Sequence, residues 1–230
     1  MTDLIAILRD NWLLLLVGQY PNGPLGGLAC TLILSVLGIV LAFPASVLVA
    51  LARLSKWRLL NWPATALVYG ARGIPLLLII LWVYFLVPVL IGRNVTGFTT
   101  MVVTLVIYES AFLAEVVRAG ILALPKGQME AARALGHSYL GAMWSVILPQ
   151  AIRNAIPALV NHSVSLFKNS SLAMAIGVAE LTHAVKEIES QSFRAFEAYS
   201  VATVLYLVFS LVIMAIGAGV ARRYRIAGAR

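Results

Sequence analysis

The stretch between Asp10 and Arg53 contains no Asp, Glu, Lys or Arg. A helix needs about 20 apolar residues to cross the hydrocarbon core of a bilayer, so this stretch can hold one such helix with further residues beside it. Charged residues make up 11% of the chain and hydrophobic residues 61%, whereas soluble domains are about 25% charged. The sequence therefore predicts an all-α integral membrane protein, and we expect a single transmembrane domain over residues 1–230.

Apolar segments separated by charged ones predict five transmembrane helices. They cover residues 26–52, 73–92, 99–117, 152–178 and 198–221. The segment before them, residues 3–17, fits either a short interfacial helix or a partly ordered terminus. The first apolar stretch is longer than the core of a signal peptide and has no clear small-residue cleavage site, so we expect it to be retained.

Lys and Arg are distributed unevenly between the two sides of these spans. One side carries 12 of the 17 basic residues: Arg53, Lys56, Arg58, Arg72, Arg118, Lys126, Arg133, Arg153, Arg222, Arg223, Arg225 and Arg230. Cytoplasmic loops are enriched in Lys and Arg, so this side is predicted to be cytoplasmic, with the N-terminus outside and the C-terminus inside. The basic residues flank apolar runs, and the net charge of +8 therefore indicates topology rather than nucleic-acid binding.

The segment 119–151 is cytoplasmic in this topology and has the pattern of a helix-turn-helix. Pro125 can begin a helix, since its missing N–H costs nothing in the first turn. A helix is predicted up to residue 135, and Gly136 permits a sharp reversal. A second helix is expected over residues 139–147, ended by Leu148 and Pro149. The run 134–152 is uncharged, but it is too polar and too interrupted by glycine for a sixth span.

The first of these two helices has features of a docking surface. Ala131 and Ala132 offer a flat face of small residues, and Glu130 places a charge at its rim. Such a surface suits docking into a groove on another protein.

The same residues carry a family resemblance. Glu130-Ala131-Ala132 is followed at fixed distances by Gly136, by Val146 and by Leu148-Pro149. This spacing resembles the EAA signature of permease subunits of binding-protein-dependent ABC importers, with valine at a position where isoleucine is usual. Other stretches resemble the polar amino-acid branch of that family: EVVRA (115–119), PKGQMEAA (125–132), ILPQAIRNAIPAL (147–159), LFKNSSL (166–172) and IGVAEL (176–181). ARGIPLLLIILWVYFLVP (71–88) and YESAFLAEVVRAGI (108–121) are most similar to glutamate/aspartate permeases.

The resemblance implies an assembly in the bacterial inner membrane. Two permease subunits, identical or paired with a sister chain, would form the pathway, and an extracytoplasmic binding protein would deliver a polar amino acid. Two cytoplasmic ATPases, which bind ATP and Mg, would dock on the EAA loops. The docking residues carried over are Glu130, Ala131, Ala132, Gly136, Leu148 and Pro149. The sequence contains no G-x-x-x-x-G-K-[ST] phosphate loop, so we expect this chain to hold no ATP, no other cofactor and no catalytic residue.

Ionisable residues inside predicted spans are candidates for the substrate pathway, because they are expensive in a bilayer. Glu109 could line the path or form a structural hydrogen bond, and we expect it to brace an arginine rather than to contact an acidic substrate. Glu115 and Arg118 stand three residues apart and can form a local ion pair. Arg72 could meet a substrate carboxylate with its fork of donors or extend to the interface as an anchor.

The fourth predicted span carries a polar face. Asn161, Ser165 and Lys168 lie at i, i+4 and i+7 of one helix. Such a face must meet protein or a polar cavity, which leaves either the substrate pathway or helix–helix packing.

Residues just after this face extend its polarity: Asn169, Ser170 and Ser171 follow Lys168 directly. The related permeases usually have Lys-Asp-Thr-Ser here. Without that Asp, Lys168 is less neutralised, which favours an anionic substrate, although Lys168 could equally pair with Glu109. The neighbouring His162 is expected to be a buried hydrogen-bonding group rather than a proton relay.

Three functions follow from these observations. The leading hypothesis is an ABC importer permease for a polar amino acid, with glutamate or aspartate as the expected substrate. The second is an ion-driven secondary transporter, which would need its own ion site and often internal repeats. The third is a membrane enzyme, but the histidines at 137, 162 and 183 are scattered and form no metal-ligand spacing, so no metal site is expected.

Overall fold

A computed structural model describes residues 2–223 of the chain, with side-chain surroundings from Ile5 onward. Apart from short connections, these residues are helical, and two isolated β-bridges join Gly18 to Leu25 and Gly27 to Glu180. The all-α prediction is confirmed for this part of the chain. Arg225 and Arg230, which entered the topology prediction, lie outside the described residues.

The helices follow one another with short connections. They are α1 (Thr2–Val17), α2 (Gly27–Leu54), α3 (Arg58–Gly73), α4 (Leu76–Ile91), α5 (Gly97–Leu122), α6 (Lys126–Ala134), α7 (Tyr139–Ala142), α8 (Leu148–Asn169), α9 (Leu181–Ser192) and α10 (Ala195–Arg223). A π-helical turn, Met143–Ile147, joins α7 to α8, and a 3-10 helix, Ser170–Ile176, follows α8.

Three of the described helices are long and apolar enough to cross a membrane, namely α2, α5 and α10. The pair α3 and α4 makes a fourth candidate if it is one broken span. The helix α8 has 22 residues, and it is more polar because it carries Arg153, Asn161 and Lys168. The structure therefore supports three to four spans, and the predicted count of five is not confirmed.

The region predicted as one span over residues 73–92 begins with a bend between two helices, and the rest of it is α4. The helix α3 ends at Gly73 and α4 begins at Leu76, with an angle of 111° between them. Pro75 disfavours the helical conformation in the residue before it, and Ile74 is extended, with φ −112° and ψ 134°. The 16 residues of α4 rise about 24 Å, which is short of the roughly 30 Å of a bilayer core.

The loop 119–151 contains two helices joined by a turn, but its second helix does not end where the sequence predicts. Gly136 adopts φ +92° in the turn. The helix that begins at Tyr139 runs through the π-helical turn into α8, with Pro149 in the first turn of α8. A proline ring clashes with the carbonyl four residues earlier in a regular α-helix, and a wider π turn accommodates it.

The core is built around α5, which packs against α2, α3, α4 and α8. One buried cluster joins α2, α3 and α5 to the π turn and the start of α8, and another joins α2, α4 and α5 to the 3-10 helix. The helix α1 packs Ile7 and Leu15 against α9 and α10 in a third cluster. Of the two alternatives for residues 3–17, the structure has the helix.

Candidate functional site

A groove of 480 Å³ lies between α5 and α8, and we call it the α5–α8 groove. Its lining combines three ionisable side chains with small and apolar residues: Arg72, Phe112, Glu115, Val116, Ala119, Gly120, Ala123, Asn154, Ala155, Ala158 and His162. The groove is open on one side. Its size lies in the range of small-molecule pockets, about 300–1,000 Å³.

Three arginines surround Glu115 at one end of this groove. Arg53, from the end of α2, donates to Glu115 Oε1. Arg118 donates through Nε to Oε1 at 3.1 Å and through Nη2 to Oε2 at 3.0 Å. Arg72 Nη1 lies 4.0 Å from Oε2. The single carboxylate leaves this arginine cluster with an excess of positive charge.

The arginine cluster also uses aromatic rings. The Arg53 guanidinium lies 5.5 Å from the centre of the Tyr69 ring, and the Arg72 guanidinium lies 5.6 Å from that of Phe112.

Two predictions concern this cluster. The hydrogen bonds between Arg118 and Glu115 confirm the predicted local ion pair. For Arg72 the sequence left open a position in a substrate path or at the membrane interface. The structure places its side chain against Glu115 and Phe112 in the groove, where it is 46% exposed.

At the other end of the groove, Glu109 faces His162. The Nδ1 atom of His162 lies 3.6 Å from Glu109 Oε2, and this oxygen is buried with no hydrogen-bond partner among the described residues. Within the described residues Glu109 forms an ion pair neither with an arginine, which we expected, nor with Lys168, the alternative that the sequence left open. Six residues separate Glu109 from Glu115, which is about 9 Å along α5, and this spacing keeps Glu109 away from the arginine cluster.

The polar face predicted on α8 is present, but it does not form one site. Asn161, Ser165 and Lys168 are exposed along one side of the helix. Asn161 lines a different groove, of 420 Å³, between α8 and α10. The face is therefore separate from the α5–α8 groove.

The residues after this face turn partly toward the protein. The Ser170 hydroxyl is buried and donates to the Phe167 carbonyl at 2.7 Å. The Ser171 hydroxyl donates to the Lys168 carbonyl, also at 2.7 Å, and Asn169 is half-buried. Ser170 has no access to a pathway in this structure.

Some of the predicted docking residues of the loop are exposed and others are buried. Glu130 and Ala131 on α6, together with Gly136 and Pro149, are exposed. Ala132 is buried, and so is Leu148, which belongs to the cluster at the start of α8. The expectation that Ala131 and Ala132 share an open face is wrong, because α6 turns Ala132 inward.

Two large apolar residues complete the outer side of the turn. Leu135 is 84% exposed and Leu140 66% exposed. A hydrogen bond of 3.3 Å from Gln150 to Gln128 connects α8 to α6. Neither leucine was singled out from the sequence, although Leu135 directly precedes Gly136 and Leu140 follows it by about one helical turn, which is a signal that could have found them.

Sequence analysis also missed Arg53, Phe112 and His162 as members of the groove and its arginine cluster. Arg53 and Glu115 are 62 residues apart, and no local spacing connects them. In the sequence alone, Arg53 has the pattern of a charge that flanks a span, and Phe112 and His162 have that of residues packed inside the protein.

Comparison with known proteins identifies the class. Residues 42–226 match the family described as "Binding-protein-dependent transport system inner membrane component". The chain is 39% identical over 207 residues to the probable glutamine ABC transporter permease protein GlnM of Bacillus subtilis (strain 168), covering 90% of this chain and 91% of that protein. It is 34% identical over 201 residues to the arginine transport system permease protein ArtQ of the same organism, covering 87% and 92%.

Solved structures share the fold. A crystal structure of an amino acid ABC transporter with histidines matches with a TM-score of 0.83 and 33% identity, covering 97% of this chain and 99% of that one. The inward-facing MetNI methionine ABC transporter matches with a TM-score of 0.71 at 22% identity, covering 98% and 100%.

The chain belongs to the family of binding-protein-dependent inner-membrane permeases. It is a multi-pass permease subunit of an ABC transporter and is not itself an ATPase. The subunits of this family carry no cofactor, and ATP is handled by the ATPase partner. Membership of this family excludes the two other hypotheses, an ion-driven secondary transporter and a membrane enzyme.

Proposed function

We propose that this chain forms half of the membrane pathway of an importer for a polar amino acid, with glutamate or aspartate as the substrate. A binding protein delivers the amino acid on the outer side. A second permease subunit, a copy or a sister chain, completes the pathway, and the ATPases dock on the loop around Gly136.

The arginine cluster carries the assignment of an acidic substrate. Arg72 is half-exposed in the α5–α8 groove, and Glu115 is already bound by Arg53 and Arg118. A guanidinium group with free donors suits a carboxylate, which it can bind in a bidentate manner. Lys168 is exposed on α8 outside this groove, and its positive charge also favours an anionic substrate. Glu109 sits behind His162 and is buried away from an incoming anion.

Glutamine is the second candidate, and the relatives favour it. GlnM of Bacillus subtilis and the glutamine transport system permease protein GlnP of Escherichia coli (strain K12) match this chain at 39% and 36% identity. Glutamine has the same size as glutamate and lacks only the side-chain charge. The two candidates therefore differ in whether the groove must stabilise a second negative charge.

The loop and α8 suggest how ATP binding is coupled to transport. The exposed Glu130, Ala131, Leu135 and Leu140 form a compact surface that suits a groove on the ATPase. The helix from Tyr139 to Asn169 continues from this surface, through the π turn, to the α5–α8 groove. When the ATPase pair closes, movement of the loop tilts α8 and changes the access to the groove. The chain contributes positioning and coupling, and no covalent step.

The test is an ATPase assay on the reconstituted transporter. The chain is co-expressed with the ATPase and binding-protein genes that neighbour it and placed in lipid vesicles, and candidate amino acids are added one at a time. We expect stimulation by glutamate and aspartate. Stimulation by glutamine alone would favour the second candidate, whereas stimulation by basic amino acids alone would contradict both.

Charge reversal on the loop tests the coupling. Glu130→Arg should abolish the stimulated ATPase activity while the chain still inserts in the membrane. The matched control is Glu189→Arg, which reverses a carboxylate on α9 at the predicted outer side and should leave docking of the ATPase intact. Equal activity of Glu130→Arg and wild type would contradict docking through this surface.

A further inference from the structure

A second groove, which we call the α2–α8 groove, lies between the C-terminal half of α2 and the start of α8. Its volume is 640 Å³. The described residues that line it are apolar except for Arg153, and they include Phe43, Pro44, Leu48, Trp144, Ile152 and Ile156. A polar ligand would lose hydrogen bonds to water here without replacing them, so the occupant must be largely apolar.

The groove opens on a face of α2 that suits lipid. The exposed side chains along this face are apolar at each position: Ile33, Val36, Val40, Leu41, Pro44 and Leu48. The exposed face of α8 instead carries Asn154, Asn161, Ser165 and Lys168. Lipid tails offer no hydrogen-bond partner, so the α2 face can lie against them and the α8 face cannot. Pro44 and Leu48 belong both to the α2 face and to the groove.

A charged and an aromatic side chain stand at the mouth of the groove. Arg153 is exposed, and no ion pair involves it within residues 2–223. Trp144, on the π turn, is 54% exposed. Leu48 and Pro44 lie about 8 and 14 Å from Arg53 along α2, at 1.5 Å per residue. The groove therefore runs from the interface, where Trp and Arg are favoured, into the depth of acyl chains.

We propose that the α2–α8 groove binds one acyl chain of an anionic phospholipid, whose headgroup phosphate pairs with Arg153. Guanidinium groups match phosphate geometry with two parallel hydrogen bonds, and an anionic membrane surface attracts basic side chains. The chain of the lipid lies between Pro44 and Ile156. The lipid then contacts the π turn, through which the cytoplasmic loop connects to α8.

A second copy of this chain fits the groove less well. It would cover Arg153 and would have to supply an acidic partner, because a buried unpaired charge is costly. The acidic residues on the predicted cytoplasmic side are Glu115 and Glu130. Glu115 already binds Arg53 and Arg118, and Glu130 is on the loop.

Native mass spectrometry of the purified transporter, with the co-expressed ATPase present, tests the proposal. The delipidated complex is titrated with phosphatidylglycerol and, separately, with phosphatidylethanolamine. We expect tighter binding of phosphatidylglycerol to wild type. Arg153→Gln should weaken phosphatidylglycerol roughly fivefold, which corresponds to about 1 kcal/mol for one basic residue. It should weaken phosphatidylethanolamine less, because the ammonium group of that lipid already offsets the charge of its phosphate.

Two control variants separate the groove from general lipid contact. Arg58→Gln removes an exposed arginine on the same predicted side, away from the groove, and should bind as wild type does. Leu48→Trp fills the groove and should weaken both lipids. Leu41→Trp makes the same substitution two turns earlier on the α2 face, where Leu41 is 46% exposed, and should weaken neither.

Two results would overturn the proposal. One is unchanged phosphatidylglycerol affinity in both Arg153→Gln and Leu48→Trp. The other is a disulfide between Leu48→Cys of one copy and Trp144→Cys of another in native membranes, because it would place a second copy in the groove. Neither result depends on which amino acid is transported.

Discussion

The Nδ1 atom of His162 on α8 lies 3.6 Å from Oε2 of Glu109 on α5, and this carboxylate oxygen is buried with no hydrogen-bond partner in the described part of the chain. A carboxyl group in such a position costs free energy of folding, and costly polar groups inside a membrane are functional candidates. The contact joins the central helix of the core to the helix that carries the polar face.

The first prediction concerns Glu109→Gln. The amide keeps the shape of the side chain and removes a poorly satisfied carboxylate, so thermal unfolding in detergent should show equal or higher stability, by up to about 1 kcal/mol. Amino-acid-stimulated ATPase activity should fall roughly tenfold, which corresponds to about 1.4 kcal/mol, because His162, which lines the α5–α8 groove, loses the carboxylate that faces it.

Glu115→Gln is the matched control on the same helix. It should lower stability by about 1–2 kcal/mol, since it leaves Arg53 and Arg118 without their partner in a half-buried position. If Glu109→Gln destabilises the protein as Glu115→Gln does, then Glu109 is a structural brace and does not act on the groove through His162.

The second prediction concerns pH and Glu180, which lies at the start of α9 outside the membrane-spanning helices. Its Oε1 accepts from the His183 N–H, and its Oε2 accepts from the Thr182 N–H and the Tyr206 hydroxyl, each at 2.9 Å. Burial raises the pKa of Glu180 from 4.5 to about 7, although these hydrogen bonds lower it in part. The folded state therefore binds a proton more tightly than the unfolded state.

Raising the pH therefore lowers the stability of the folded state through the ionisation of Glu180. The stabilising contribution of protonated Glu180 is complete below pH 4.5, and it is lost as the pH rises through about 7. The loss amounts to roughly 3 kcal/mol, at 1.36 kcal/mol per pKa unit. Thermal unfolding between pH 5 and 8 measures it. Glu180→Gln should remove this slope, and an unchanged slope in that variant would assign it to another group.

Sequence reasoning succeeded where one local property decides the structure. An uncharged run followed by Arg53 defines α2, which spans Gly27–Leu54 against a prediction of 26–52. Gly136 was expected to reverse the chain, and its φ of +92° does so. Both the extent of α2 and the reversal at Gly136 depend on the composition and spacing of residues close together in the sequence.

Prediction from the sequence failed where the structure depends on the angle between consecutive helices or on contacts between residues far apart in the chain. Hydropathy averaged over residues 73–92 gives a span, but it does not detect the 111° bend before α4. Pro149 has the pattern of a helix end, yet the π turn before it lets the helix continue. The contact of Glu109 with His162 depends on the packing of α5 against α8, which a single sequence does not contain.

The third prediction concerns the close approach of α8 and α10. A Cβ on Gly217 would lie 2.2 Å from Cγ1 of Val160, so Gly217→Ala should destabilise the protein by about 1–3 kcal/mol through overpacking. Gly219→Ala is the control, because its Cβ would meet no atom of the described residues within 4 Å. Adding Val160→Ala to Gly217→Ala should restore most of the loss in melting temperature. Failure of that rescue would show that the backbones themselves collide.

The fourth prediction separates backbone strain from packing in the cytoplasmic loop. A Cβ on Gly136 or on Gly127 would meet no atom within 4 Å in residues 5–223, so neither Gly→Ala substitution creates a clash with them. Gly136 has φ +92°, a conformation that costs an L-residue about 1–2 kcal/mol. Gly127 lies in the first turn of α6, where alanine is favoured by up to about 1 kcal/mol. Gly136→Ala should therefore lower the melting temperature, and Gly127→Ala should raise it.

The same pair tests whether the turn positions the docking surface. Gly136→Ala should also reduce the stimulated ATPase activity, because an altered reversal moves Leu135 relative to Leu140, which are the exposed leucines on either side of the turn. Gly127→Ala leaves the turn unchanged and should retain wild-type activity. If both variants keep full activity while only Gly136→Ala loses stability, then the geometry of the turn matters for folding, and the ATPase tolerates a shifted surface.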